Sequence, residues 1–275
     1  MMKKALSLFL AAAMCAGMLA GCGGGADTNE ATNGDSGEST AAAFKIGGTG
    51  PLTGDAAIYG NAVKNGAQLA VDEINAEGGV QFELKMEDDE NDPEKAVSAY
   101  NALKDWGVQL SLGSVTSKPG EATATENFAD RIFALTPSAS APAVTEGKDN
   151  VFQMCFSDPN QGTASAEYIA DNQMGTKIAI IYKNDDVYSS GIYEKFKAEA
   201  ETKGLNIVST TTFTSSSATD FSVQLGEAKA AGADLLFLPI YYQPASLILQ
   251  QAKSMGYAPK FFGVDGMDGI LTLEG

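Results

Sequence analysis

From Phe44 onward the chain alternates short apolar runs with amphipathic segments, and it does so twice; no other feature restricts the possible fold as much. Residues 45–49 read as a first strand. Residues 56–75 read as a helix, with Val63, Ala67, Ala70 and Ile74 spaced to share one face. Glu77-Gly78-Gly79 supplies its stop. After a strand at 82–87, Asp92-Pro93-Glu94 places an N-cap acceptor, a proline at N1 and an acid in the first turn, and Ala96, Tyr100 and Leu103 form the buried stripe of that helix. Strands follow at 110–115, 132–135 and 151–156, with helices over 117–130 and 159–172. The pattern then restarts. Strands are expected at 177–182, 206–213, 235–241 and 261–264. Between them, Ile192, Phe196 and Ala200, then Phe221, Leu225 and Ala228, then Ile248, Ala252 and Met255 mark helices. Such alternation implies parallel sheets covered by helices on both faces. The predicted fold is α/β with two Rossmann-like lobes, residues 44–156 and 157–275. Ligands of open parallel sheets bind beyond the carboxyl ends of the strands.

The N-terminus is of another kind. Lys3 and Lys4 precede an apolar stretch over 5–19, too short to span a bilayer comfortably but suited to a signal-peptide core. It ends in Leu19-Ala20-Gly21-Cys22, which resembles the lipobox of bacterial lipoproteins. That resemblance implies a signal over 1–21, lipid attachment at Cys22, and an extracytoplasmic protein anchored to the cell membrane. The plainer alternative is a secretory signal with an incidental cysteine. Residues 23–43 carry no large apolar side chain, so 22–43 reads as a lipidated cysteine followed by a tether that cannot offset its ordering entropy.

A formal charge of −17 argues against nucleic acid as a partner, since nucleic-acid binding needs clustered Lys and Arg. The absence of histidine removes the commonest general base and the Ser/His and Cys/His nucleophile pairs, and no metal-ligand spacing or cofactor motif is present. No enzyme activity is expected. Cys155, in an apolar strand-like run, reads as a small buried hydrophobe. Gly48-Thr49-Gly50 with Gly54 has the wrong spacing for a dinucleotide loop, and no P-loop occurs, so any ATPase is a separate protein. The acidic run at 87–92 lacks the spacing of a calcium loop and reads as a solvated turn.

The strand ends carry hydroxyls, aromatics and a carboxylate: Tyr59 after the first strand, Ser117 after the third, Ser138 and Ser140 after the fourth, then Tyr188, Tyr241 and Asp265. Hydroxyls and helix N-termini can hold a carboxylate without a cation, an aspartate can hold an ammonium, and tyrosines can wall an apolar side chain. The set suits a neutral or zwitterionic small molecule. Ser117 and Ser140 also have an ordinary reading as helix N-caps, and Asp265 as a turn residue before Gly266.

The segment over 47–75, the Asp88-Asp89 pair before Asp92-Pro93, the run over 136–142, Asp158 with Gln161-Gly162, and Asp220-Phe221-Ser222 together resemble the type I periplasmic binding proteins of the branched-chain amino acid class. The resemblance runs from Phe44 to the last residue and implies roles. Ser117 would bind the ligand α-carboxylate, and Ser140, where the family usually has threonine, would touch carboxylate and ammonium. The Ser138 carbonyl would accept from the ammonium. Asp265, where these binders often have glutamate, would pair with the ammonium through closer lobes, a longer ligand or a bridging water. Tyr59, Tyr188 and Tyr241 would line the side-chain pocket. The implied function is the solute-binding component of an ABC importer, delivering a branched-chain or similar aliphatic amino acid to permease membrane subunits. The alternative is a sensory lipoprotein of the same fold for an amino acid, amide or small aromatic acid. Family members continue well beyond the position of Gly275, so the resemblance also implies a truncated chain, with one crossover between lobes where the family has three, and reduced stability and affinity.

Overall fold

The structure is a computed structural model that describes residues 42–273. The signal, the tether and Cys22 lie outside the described residues. The first lobe runs β1 (Phe44–Gly50), α1 (Ala57–Ala76), β2 (Phe82–Asp88), α2 (Pro93–Trp106), β3 (Leu110–Ser114), α3 (Ser117–Asp130), β4 (Phe133–Thr136) and β5 (Val151–Gln153). The second runs α4 (Asp158–Asp171), β6 (Ile178–Lys183), α5 (Val187–Thr202), β7 (Ile207–Phe213), α6 (Ser222–Ala230), β8 (Leu235–Leu238), α7 (Tyr242–Ser254) and β9 (Lys260–Gly263). The strands form two sheets, ordered β2-β1-β3-β4-β5 and β7-β6-β8-β9, and every pairing is parallel. The α/β architecture with helix-flanked parallel sheets is the one expected.

Strand periodicity builds the second lobe's core. Ala179 and Ile181 of β6 join Leu236 and Leu238 on one face, packed under Leu225, Ala228, Ala245 and Ile248 of α6 and α7. Ile178 and Ile180 join Leu235 and Phe237 on the other, packed under Ile169, Ile192 and Phe196 of α4 and α5. Helices α4 and α5 lie close because Gly162 has no side chain: a Cβ there would sit 2.4 Å from the Ile192 carbonyl oxygen. In the first lobe Asp92 caps α2, its Oδ1 accepting from Glu94 and Lys95 N–H at 2.9 Å each, and Ala96, Tyr100 and Leu103 are buried.

Several expectations are corrected. On α1 the inward face is Val63, Ala67 and buried Val71, spaced four apart, whereas Ala70 and Ile74 are exposed. Strand β5 stops at Gln153, because Met154 and Phe156 turn outward as the chain leaves the sheet, and Cys155 is half-buried with its thiol 3.6 Å from the Ala139 carbonyl. Strand β8 stops at Leu238, before Pro239, which has no N–H for a ladder. The acidic run is no mere solvated turn. Asp88 Oδ1 accepts from Leu52 N–H at 2.8 Å and its Oδ2 from the Thr53 hydroxyl at 2.5 Å. Fully buried Asp89 accepts from the Ser114 hydroxyl at 2.7 Å, so the run ties β2 to the loop after β1 and to β3.

Candidate functional site

The carboxyl ends of the two sheets meet at a small cavity of about 20 Å³. All seven residues singled out in the sequence line it: Tyr59, Ser117, Ser138, Ser140, Tyr188, Tyr241 and Asp265, joined by Val115, Thr116 and Gly266. From the first lobe, Thr116 stands at the N-cap of α3 in extended conformation and makes no capping bond with its side chain. Its hydroxyl is buried and unpartnered. The first N–H groups of α3 are thus left without a side-chain cap, a setting that favours an anion. Ser117 is therefore the first helical residue, not the cap. Its Oγ accepts from Ser140 N–H at 3.1 Å and Ala141 N–H at 3.2 Å, and lies 3.5 Å from Ser140 Oγ. The loop carrying Ser138 and Ser140 is held from below by Thr136, whose hydroxyl donates to the Ser114 carbonyl at 2.7 Å and accepts from Ala139 N–H at 3.1 Å.

The second lobe presents aromatics. Asp186 caps α5, accepting from Tyr188 N–H at 3.3 Å, and this sets buried Tyr188 at the cleft. Tyr188 and Tyr241 stack with centroids 4.6 Å apart and planes 3° from parallel. The Tyr188 hydroxyl donates to Asp265 Oδ1 at 2.5 Å, and Gly266 N–H donates to the same carboxylate oxygen at 2.8 Å. Asp265 N–H in turn donates to Gln161 Oε1 at 2.7 Å. Asp265 is thus built into the second lobe's own turn.

The lobes are shut. Tyr59 leans on Tyr241 with centroids 5.7 Å apart, meets Tyr242 edge-on, and its hydroxyl donates to the Gly266 carbonyl across the cleft. Lys118 Nζ donates to the Asp185 carbonyl at 3.0 Å. A space of about 20 Å³ has room for about one water, so the lobes must part before a molecule of amino-acid size enters. A larger cavity of about 320 Å³ lies beyond Tyr241, lined by Asp55, Glu90 and Asn91 from one lobe and Lys183, Asp186, Ser215 and Gln243 from the other.

Burial dominates the electrostatics. It raises the hydroxyls of Tyr59, Tyr188 and Tyr241, which therefore stay protonated and available as donors. It also raises the Asp186 carboxyl, and the Asp158 carboxyl to about 7. Among the described residues no group of three or more His, Cys, Asp or Glu side chains is arranged to hold a metal ion. Sequence reasoning did not single out Thr116, which lines the cavity with the seven. Thr116 was hidden because two consecutive hydroxyl residues open α3 and only geometry separates cap from first turn.

Known proteins of similar sequence and shape have this architecture. The chain is 32% identical over 226 residues to the Leu/Ile/Val-binding protein BraC3 of Rhizobium johnstonii, covering 81% of this chain and 61% of that one. It is 32% identical over 231 residues to the leucine-, isoleucine-, valine-, threonine-, and alanine-binding protein of Pseudomonas aeruginosa, covering 82% and 61%. Among solved structures, the leucine binding protein LivK of Thermotoga maritima superposes with a TM-score of 0.77 at 28% identity, covering 82% of this chain and 64% of that one. The substrate binding protein LivJ of Streptococcus pneumoniae, in complex with isoleucine, superposes with a TM-score of 0.75 at 31% identity, covering 81% and 64%. The chain thus spans about six-tenths of the length of the curated relatives it matches. The periplasmic binding protein family model matches residues 43–273, nearly all that the structure describes, and the chain belongs to that family.

Proposed function

We propose that this chain is an extracytoplasmic solute-binding protein of an ABC importer that closes two lobes over a branched-chain or similar aliphatic amino acid. The observation that carries the reading is the pairing of unlike surfaces at one cleft. An uncapped helix N-terminus with the Thr116 and Ser117 hydroxyls faces a stacked tyrosine wall and carboxylates. The first suits a carboxylate, the second an apolar side chain, and the third an ammonium. Ser117, Ser138 and Ser140 serve the zwitterionic end, and Tyr59, Tyr188 and Tyr241 the side chain. The lobes are assigned to 44–156 and 157–275, with 1–21 a signal and Cys22 the lipid anchor. Ligand shifts the open–closed equilibrium only as far as its affinity differs between the two forms, and the closed form is the one presented to the permease.

A thermal melt of the chain with each common amino acid at millimolar concentration tests this. A ligand with Kd near 1 μM at about 1 mM adds about 4 kcal/mol of stability. The expected result is a melt raised by leucine, isoleucine or valine and lost in Ser117→Ala. A cooperative melt that no amino acid moves overturns the amino-acid reading. Fatty-acid labelling that persists in Cys22→Ala overturns the anchor.

A further inference from the structure

The shut cleft has two compartments of unequal size, and Tyr241 borders both. The inner one, beside Ser117 and Ser140, is the small cavity already described. The outer one, of about 320 Å³, lies at the carboxyl ends of β1, β2, β6 and β7 and falls in the size range of small-molecule sites. Asp55 and Asn91 wall it from the first lobe, and Lys183, Asp186 and Gln243 wall it from the second, so it is closed only when the lobes are.

Two charges in this outer chamber are poorly matched by the protein itself. Asp186 is only 6% exposed, and its carboxylate accepts from Tyr188 N–H at 3.3 Å and from no other group among the described residues. The one carboxylate oxygen within 4 Å of Lys183 Nζ among those residues is Asp185 Oδ1, at 3.9 Å, too far for a hydrogen bond. Asp185 is turned to other work, its Oδ2 accepting from the Ser215 N–H at 3.0 Å and hydroxyl at 2.9 Å. Lys183 is near enough for its charge to act on Asp186, yet the two make no ion pair within 4 Å. The chamber therefore offers a strong donor and a strong acceptor as neighbours, each with capacity left. At its rim Glu90 is already paired with Lys95 at 2.6 Å. A cation entering the chamber meets Lys183, and an anion meets Asp186. A neutral group with a donor and an acceptor on one carbon satisfies both without bringing a third charge out of water. A carboxamide is such a group, its oxygen accepting from Lys183 and its N–H donating to Asp186. Phe213, Ile240 and Pro244 supply an apolar lining that suits a hydrocarbon spacer.

We propose that the outer chamber receives the end of the ligand side chain, so that the cleft takes, besides aliphatic amino acids, those whose side chain ends in an uncharged amide, with Lys183 and Asp186 as the specificity-determining pair. The inference rests on the amino-acid reading of the cleft and extends it. The zwitterionic end stays with the first lobe's hydroxyls, and the side chain runs past Tyr241.

The test is calorimetric titration of the chain with L-leucine, L-glutamine, L-citrulline, L-homoleucine, L-lysine and L-glutamate. Homoleucine has the branched outline of glutamine with methyl groups in place of the amide oxygen and nitrogen, and citrulline carries a longer, amide-like ureido end. Glutamine or citrulline should bind at least about tenfold more tightly than homoleucine, and lysine and glutamate more weakly than either. Lys183→Met keeps the side chain's length, and Asp186→Asn keeps an N-cap acceptor for α5. Each should reduce the preference for the amide over homoleucine to about twofold. A general loosening of the fold weakens both ligands alike and leaves that ratio in place, so an unchanged ratio in both variants overturns the assignment of the pair. A wild type that binds leucine but holds neither amide more tightly than homoleucine overturns the inference and leaves the proposed function standing. Tighter binding of lysine or glutamate than of the amides overturns it as well. A wild type that binds none of the six overturns the proposed function, and the inference falls with it.

Discussion

The second lobe buries Phe196 on Phe237 with centroids 3.9 Å apart and fills both faces of its sheet with Ile, Leu and Phe. The first lobe's cluster around α3, β4 and β5 is made of Ala124, Ala134, Ala139, Ala141, Val144 and Val151. Its interior also holds Thr49, Asp89, Ser114, Thr116, Ser117, Asn127, Thr136, Ser140 and Asn150, all buried. The second lobe is held by large apolar side chains, whereas the first adds to Tyr100 and Leu103 a set of short buried polar side chains, among them Ser117, Thr136 and Asn150, that hydrogen-bond across its loops. The difference continues into the cleft, where the first lobe places mostly hydroxyls beside Tyr59 and the second places the stacked Tyr188 and Tyr241 with Asp265. A lattice of short side chains leaves polar groups where a ligand can reach them. A core of large apolar ones fixes the aromatic rings at the cleft.

The contrast can be tested by substitution. Phe237→Ala should cost about 3–5 kcal/mol by cavity formation and loss of the stacked ring, read from urea or thermal unfolding; a cost under about 1 kcal/mol would break the picture of a volume-held second lobe. At the junction, Asp158 has a folded-state carboxyl raised to about 7 from an ordinary 3.8, so the folded chain binds the extra proton. Its contribution to ligand-free stability is fullest below about pH 4 and is lost as pH rises to about 7. Asp158→Asn should therefore be within about 1 kcal/mol of wild type near pH 4 and about 4 kcal/mol more stable near pH 7.5, as a difference between paired unfolding curves. In the first lobe, Asn150 Nδ2 donates to the Asn127 carbonyl at 2.9 Å and the Ile132 carbonyl at 2.8 Å. Asn150→Ala should cost about 2 kcal/mol by stranding both acceptors, although it removes little apolar area. The smallest effect belongs to Asp234, exposed just before β8, where the Thr176 hydroxyl and the N–H groups of Thr176 and Lys177 hold its carboxyl at about 2. Asp234→Asn should cost about 1 kcal/mol, discounted for exposure, at neutral pH. Because that carboxyl is depressed, the wild-type advantage is present above about pH 4 and lost as pH falls towards 2.

Much of this architecture is legible in the sequence, and particular residues explain where legibility ends. The order of strands and helices follows from periodicity and from caps such as Asp92-Pro93, because those signals are local. The inward face of α1 is not local: Val71 is buried and Ile74 is not because the neighbouring strands, not the helix, decide which stripe meets the sheet. The apolar run at 151–156 reads as one strand, yet only its first half finds a partner in β4. Charges mislead in the same way. Asp88 and Asp89 look like solvent-facing acids until the chain brings Leu52, Thr53 and Ser114 to them from distant segments. The seven expected cleft residues converge because strand ends are legible and the sheets are parallel. Thr116 stayed hidden because what marks it is an absence of partners, which has no signature in a string of residues.

Among the described residues, the lobes are joined by a single short passage from Gln153 at the end of β5 to Asp158 at the start of α4. On the proposed reading of the cleft, a molecule held by the groups of one lobe meets those of the other at a high effective concentration, set by a leash of a few residues. The cleft is in this sense a chelator whose bite is covalently limited. Lengthening the passage should weaken binding gradually through dilution of one half-site by the other, with no contact to the ligand altered.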